Sequence, residues 1–185
     1  MYRRSEPVVL QRDAPGTEIP GGDKVLLRQG NPVTVIQSLG GSYTVMTEEG
    51  YMVRVDGKDA DALGPQYVKT EAELKPADPN GPFEESQLWD QLRTVFDPEI
   101  PVNIVDLGLV YKCESTPLPD GGYRVEVQMT MTAPGCGMGG VLKEDVRQKV
   151  LGLSGVKEAD VEVVWEPPWD PSRMSDAARL QLGWM

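Results

Sequence analysis

Ten consecutive residues, 123–132, alternate apolar and polar without a fault: Tyr123, Val125, Val127, Met129 and Met131 on one side, and Arg124, Glu126, Gln128, Thr130 and Thr132 on the other. A period of two sends successive side chains to opposite faces, so this segment reads as a strand with one face on a core and the other in water. The doubly covered parallel sheet of a dinucleotide-binding fold calls for continuously apolar strands and does not suit it. Asp120-Gly121-Gly122, just upstream, is a hairpin signal. The partner strand is therefore expected over residues 104 to about 116, with Leu107, Leu109, Tyr111 and Cys113 on one face and Cys113 as a packing residue.

The flanking segments complete a domain. Residues 84–96 fit a helix, with Leu88, Leu92 and Val95 or Phe96 at three- and four-residue spacing and Glu84 and Glu85 in the first turn, ended by Pro98. Leu142, Val146, Val150 and Leu153 form a second helical stripe, closed by Gly152 and Gly155, and residues 156–165 alternate again through Ala159, Val161, Val163 and Trp165. The order helix, strand, strand, helix, strand, with helices on one face of a small sheet, defines an α+β domain over residues 83–166. Before it, residues 1–69 hold short strands at 24–28, 32–38, 42–47 and 51–55 between turn signals, a small all-β, barrel-like module. Residues 70–82, charged and rich in proline, read as a linker. Residues 167–185 form a Pro/Trp-rich tail in which Ser175 caps a short helix and Trp165, Trp169 and Trp184 are expected to pack against the sheet.

Composition narrows the function. A net charge of −11 at pH 7 repels phosphate backbones and anionic lipid, so neither nucleic acid nor a membrane surface is an expected partner. No apolar run approaches the roughly 18 residues of a bilayer span, and the first residues lack a signal-peptide core, so a cytoplasmic setting with reduced thiols is expected. The absence of histidine removes Ser-His-Asp triads, Cys-His pairs and imidazole metal sites.

What remains is a thiol. The alternating strand runs through Ala133 and Pro134 into Gly135-Cys136-Gly137-Met138-Gly139-Gly140, which then opens the second helix. Free N–H groups and the positive dipole end at such a helix start favour a thiolate, hence metal ligation or nucleophilic attack by Cys136. The same residues satisfy G-x-G-x-x-G, but one strand-helix-strand unit with Pro134 and Cys136 crowding the turn does not make a nucleotide site. A second loop, ahead of the hairpin, carries Asp97, Glu99 and Asp106. In a hairpin the loop entering the first strand lies beside the loop leaving the second, so these carboxylates are expected near Cys136. Thr130 and Thr132 lie on the polar face leading to it. The residues alone leave three roles open: a metal- or cluster-handling thiol, a thiol enzyme with a carboxylate base, or an adaptor with a structural cysteine.

Asp97-Pro98-Glu99-Ile100-Pro101, then Asp106-Leu107-Gly108-Leu109-Val110, then Thr130-Met131-Thr132-Ala133-Pro134-Gly135-Cys136 resemble the signature of the PaaD-like family of iron–sulfur maturation factors, which includes the targeting subunit of the cytosolic iron–sulfur assembly machinery. The β-rich module and the tail beginning at Trp165 are similar to those of the auxiliary bacterial members. The resemblance implies an accessory factor rather than an enzyme, one that helps deliver or assemble clusters on apo client proteins alongside the assembly machinery. It makes Cys136 the key thiol and Asp97, Glu99, Thr130 and Thr132 pocket residues. Gly137 stands where many members carry proline and leaves that turn more flexible. A labile cluster or iron, held transiently, is the implied cofactor. Since one thiol fills few of the positions a cluster requires, a homodimer sharing two Cys136 thiolates is expected.

Overall fold

Short β-branched and aromatic runs between glycine turns build the first of two compact units, Met1–Lys75 and Pro76–Met185. The computed structural model describes residues 6–68, 81–97, 99–134 and 137–184. In the first unit, β1 (Glu6–Val9), β2 (Ala14–Ile19), β3 (Lys24–Leu27), β4 (Pro32–Leu39), β5 (Ser42–Thr47) and β6 (Met52–Asp56) pair antiparallel in the order β1-β4-β5-β6-β2-β3. Sequence reading missed β1 and β2. Pro15 and Gly16 interrupt β2 as breakers would, and its place is set by pairing with β6, more than thirty residues away.

The barrel expectation is corrected: among the described residues the order is linear, with the four-residue strands β1 and β3 at its edges and no closed barrel. Two 3-10 segments, Gly57–Leu63 and Pro65–Tyr67, supply Ala60, Ala62, Leu63 and Tyr67 to the core that Val33, Val35, Val45, Val53 and Val55 form on the sheet. Apolar surface that closure would have covered is buried by these turns instead. The Tyr43 hydroxyl donates to the Tyr67 carbonyl at 2.6 Å and fixes them there.

The second unit has α1 (Glu85–Leu92), β7 (Val110–Pro117), β8 (Tyr123–Met129), α2 (Gly139–Leu151), β9 (Val156–Val163) and α3 (Asp176–Leu182). The sheet order is β7-β8-β9, with β7 and β8 an antiparallel hairpin and β9 parallel to β8 across α2. Val125, Val127 and Met129 are buried with Leu88, Leu92, Leu142, Val146, Val150, Ala159 and Val161, so α1 and α2 cover one face. On the other, Arg124 pairs with Asp160 and the Gln128 amide donates to Glu162 at 3.1 Å.

Strands β8 and β9 end short of the sequence reading, at Met129 and Val163 rather than 132 and 165, and the larger differences lie at α1 and β7. Helix α1 stops at Leu92, four residues early: Thr94 and Val95 turn back to the carbonyls three residues before them, and Asp97 is restricted by the proline that follows. Strand β7 begins at Val110, not 104, because the Asn103 side chain accepts from the N–H groups of Val105 and Asp106 and folds residues 104–108 into a turn. A register shift between Val110 and Lys112 takes Tyr111 out of the expected face, and its hydroxyl donates to the Pro167 carbonyl at 2.9 Å. Cys113 pairs opposite Val127 and packs, half-buried, on the core.

The tail belongs to this core: Met174 and Ala178 are buried in it, and the Ser175 hydroxyl accepts the Ala178 N–H at 3.1 Å as the cap of α3. Packing holds for Trp169 but not for Trp165 and Trp184, which are exposed. No helix among the described residues is long and apolar enough to cross a membrane.

Candidate functional site

Three connections meet at one end of the β7-β8-β9 sheet: the loop entering β7, the segment leaving β8 and the tail leaving β9. Past Met129 the centre strand is gripped from both sides. The Thr130 N–H donates to the Leu109 carbonyl and the Val164 N–H to the Met129 carbonyl, each at 2.8 Å. The sequence alternation fails at this point. Thr130, expected on the solvated face, is 1 % exposed, and Met129 and Met131 beside it are also buried. The strand has ended, and neighbouring chain covers what the period of two would have exposed. Thr132 is half-buried and Gly137 exposed. Gly135 and Cys136 lie outside the described residues. The chain then re-enters the core at Met138, fully buried, and at Gly139, whose missing Cβ would stand 3.8 Å from the Met131 side chain.

The loop entering β7 carries the carboxylates. Asp97 is 3 % exposed and accepts the Glu99 N–H at 2.9 Å, an Asx-type turn. Burial pushes its carboxyl above the ordinary aspartate range; that N–H opposes the shift and the charge of Glu99 adds to it. Glu99 itself is exposed. Phe96, next to Asp97, bridges to Asn103, whose amide nitrogen donates to the Asp106 carboxylate at 2.6 Å. The Ile104 N–H returns to the Val95 carbonyl and the Leu109 N–H to the Ile104 carbonyl, both at 2.9 Å. Segments holding Asp97, Asp106 and Thr130 thus form one hydrogen-bonded framework, with Glu99 at its exposed rim. Among the described residues, no group of three or more His, Cys, Asp or Glu side chains could hold a metal ion.

Two framework residues escaped sequence reading. Asn103 had a local signal, an asparagine three residues before an aspartate in a proline-bounded loop. Trp169, whose indole N–H donates to the Leu107 carbonyl at 2.8 Å, had none, because its partner is 62 residues away. The other cysteine is chemically quiet: burial, aided by the charge of Glu85, pushes the Cys113 thiol up to about 12, so at neutral pH it is protonated and a poor nucleophile or ligand.

Residues 85–163 match a family described as iron-sulfur cluster assembly protein. An Fe-S protein maturation auxiliary factor of Porphyromonas gingivalis is 44% identical over 101 residues, covering 55% of this chain and 92% of that protein. The Fe-S protein maturation auxiliary factor YitW of Bacillus subtilis is 37% identical over 92 residues, 50% of this chain and 86% of its own. The Fe-S protein maturation auxiliary factor SufT of Staphylococcus aureus is 38% identical over 89 residues, 48% of this chain and 97% of its own. With nearly the full length of such relatives matched at these identities, the chain belongs to the iron-sulfur cluster assembly protein family.

Proposed function

We propose that this chain is an auxiliary factor in iron–sulfur cluster assembly or maturation that assists delivery of iron or a cluster to apo-proteins through Cys136. The observation that carries the reading is the near full-length match to relatives named Fe-S protein maturation auxiliary factors. The geometry supports it: the loop that holds the buried Asp97 is tied by hydrogen bonds through Val95, Ile104 and Leu109 to the buried Thr130, which follows β8 in the segment that leads to Cys136. Iron or a cluster is cargo here, not a resident group. One thiolate supplies one soft ligand; a second copy's Cys136 in a homodimer, a small thiol or the client supplies the others. Open positions let the cargo leave, so the protein acts by holding and handing over rather than by catalysis. A cytoplasmic setting, where thiols stay reduced, belongs to the same reading. Asp97, Glu99, Asp106, Thr130, Thr132, Gly135 and Gly137 are assigned to the pocket around the thiol.

The test is anaerobic transfer from the reconstituted protein to an apo-enzyme whose activity reports cluster insertion. The wild type restores that activity and Cys136→Ala does not. Equal transfer by both would refute the thiol's role.

A further inference from the structure

The tail beyond residue 163 lies outside the family-matched region, yet among the described residues it is hydrogen-bonded to the loop entering β7. Three loop carbonyls receive donors from it: Asp106 from the Ser175 N–H at 2.8 Å, Leu107 from the Trp169 indole at 2.8 Å, and Pro101 from the Gln181 amide at 2.7 Å. In return Tyr111, just past the loop, donates to Pro167, and its ring lies under the Arg173 guanidinium at 4.3 Å. The backbones also touch. Gly108 has a φ of +71, and a Cβ there would collide with the Arg173 carbonyl oxygen and stand 2.7 Å from the Arg173 Cβ. Glycine is thus required at 108 twice, for conformation and for close approach. Met174 and Ala178, 4 % and 1 % exposed, anchor the tail in the core between these contacts.

We propose that residues 164–184 are a positioning strap: they hold the loop carrying Asn103 and Asp106 against the end of β8, and so set the position of the carboxylates at that end of the sheet, with Trp169 as the positioning residue at its centre. The inference rests on the assignment of the site to this end of the sheet. Within the loop the hydrogen bonds are short-range, Leu107 to Asn103, Gly108 to Val105 and Leu109 to Ile104, with the Asn103 side chain accepting from Val105 and Asp106, while the Ile104 N–H to Val95 and the Thr130 N–H to Leu109 tie it to its flanks. The strap adds donors from a segment already tied into the core. Leu107 is where this grip is separable from packing, because the indole supplies a ring to the core and an N–H to the loop.

Trp169→Phe in the full chain keeps the ring and deletes the donor. Amide hydrogen exchange is followed at Leu107, Gly108 and Leu109, whose N–H groups bond within the loop, with Val127 and Val146 as core controls. Loss of one hydrogen bond of ordinary net worth predicts roughly two- to tenfold faster exchange in the loop and unchanged exchange in the core. Transfer to the apo-enzyme slows at least twofold while the melting curve stays near wild type. Trp169→Ala, which also loses the ring, slows transfer further and lowers the melting temperature. Unchanged loop exchange overturns the strap, and so does a loosened loop with transfer at the wild-type rate. If the wild type transfers nothing, the delivery reading fails by itself and loop exchange alone decides whether the strap exists.

Discussion

The two ends of the β7-β8-β9 sheet are built on opposite rules. At the hairpin end Pro119, Asp120 and Gly121 are exposed, turn hydrogen bonds join Leu118 to Gly121 and Gly122, and apolar burial stops at the Phe83–Tyr123 ring pair. At the other end polar groups go inside: Asp97 and Thr130 are buried, Asn103 and Asp106 are half-buried and bonded to each other, and chain from 60 residues away covers the loop. Burying polar groups costs stability unless each is partnered, and burying a carboxylate costs most. Among the described residues of this unit, the buried polar side chains Asp97 and Thr130 both lie at this end, the end proposed above as the site.

Paired substitutions of matched glycines break this contrast most strongly. Gly108 and Gly121 both sit at positive φ, +71 and +83, but a Cβ on Gly121 meets nothing within 4 Å whereas one on Gly108 strikes Arg173. Gly121→Ala is expected to cost only the left-handed penalty of about 1–2 kcal/mol. Gly108→Ala adds overpacking and is expected to cost about 1–3 kcal/mol more. Urea unfolding of both variants checks the difference, and equal costs would mean the strap does not press on the loop.

The two cysteines sharpen it next. Cys113→Ala should lose about 1–2 kcal/mol from reduced burial and a small cavity while cluster transfer survives. Alkylation of the wild type at pH 7 should modify Cys136 and spare Cys113, whose thiol ionises only near 12. Mass spectrometry showing Cys113 labelled first would reverse the assignment.

The smallest effect concerns Asp97. Its folded-state pKa is raised, so the folded chain binds this proton more tightly than the unfolded chain. The ionised form therefore costs stability that sets in as pH rises through the unfolded value and is complete above the folded one. Asp97→Asn keeps an oxygen for the Glu99 N–H and removes the charge. It should raise the melting temperature at pH 7 by less than Cys113→Ala lowers it, with the gain fading toward acid. Slower cluster transfer by this more stable variant would show that the charge is kept for function. A variant less stable than wild type at pH 7 would contradict the burial cost.

The hairpin end was legible in the sequence because its information is local: period-two alternation over 123–129, Asp120-Gly121-Gly122 at the turn, the 142–146–150 stripe. At the other end Asp97, Asp106 and Thr130 do share a framework, but the burial of Asp97 and Thr130 was not legible. Thr130 reads as one more outward residue until Leu109 and Val164 close on either side of it. Ile104 and Leu107 read as strand residues because apolar spacing is blind to the Asn103 turn that buries them. The same blindness hid β2 and the tail's grip on the loop, since both are decided by partners tens of residues away.

The central claim is that this end of the sheet presents a thiol for transient iron or cluster handling, and iron content after anaerobic reconstitution with iron and sulfide tests it most directly. Wild type should gain a visible chromophore and oxygen-sensitive, substoichiometric iron at about one centre per dimer, since clusters are ordinarily held by four thiolates and two shared Cys136 thiolates leave positions open. Cys136→Ser should lose both, with its circular-dichroism spectrum unchanged. Iron retained by that variant at the wild-type level would contradict the claim.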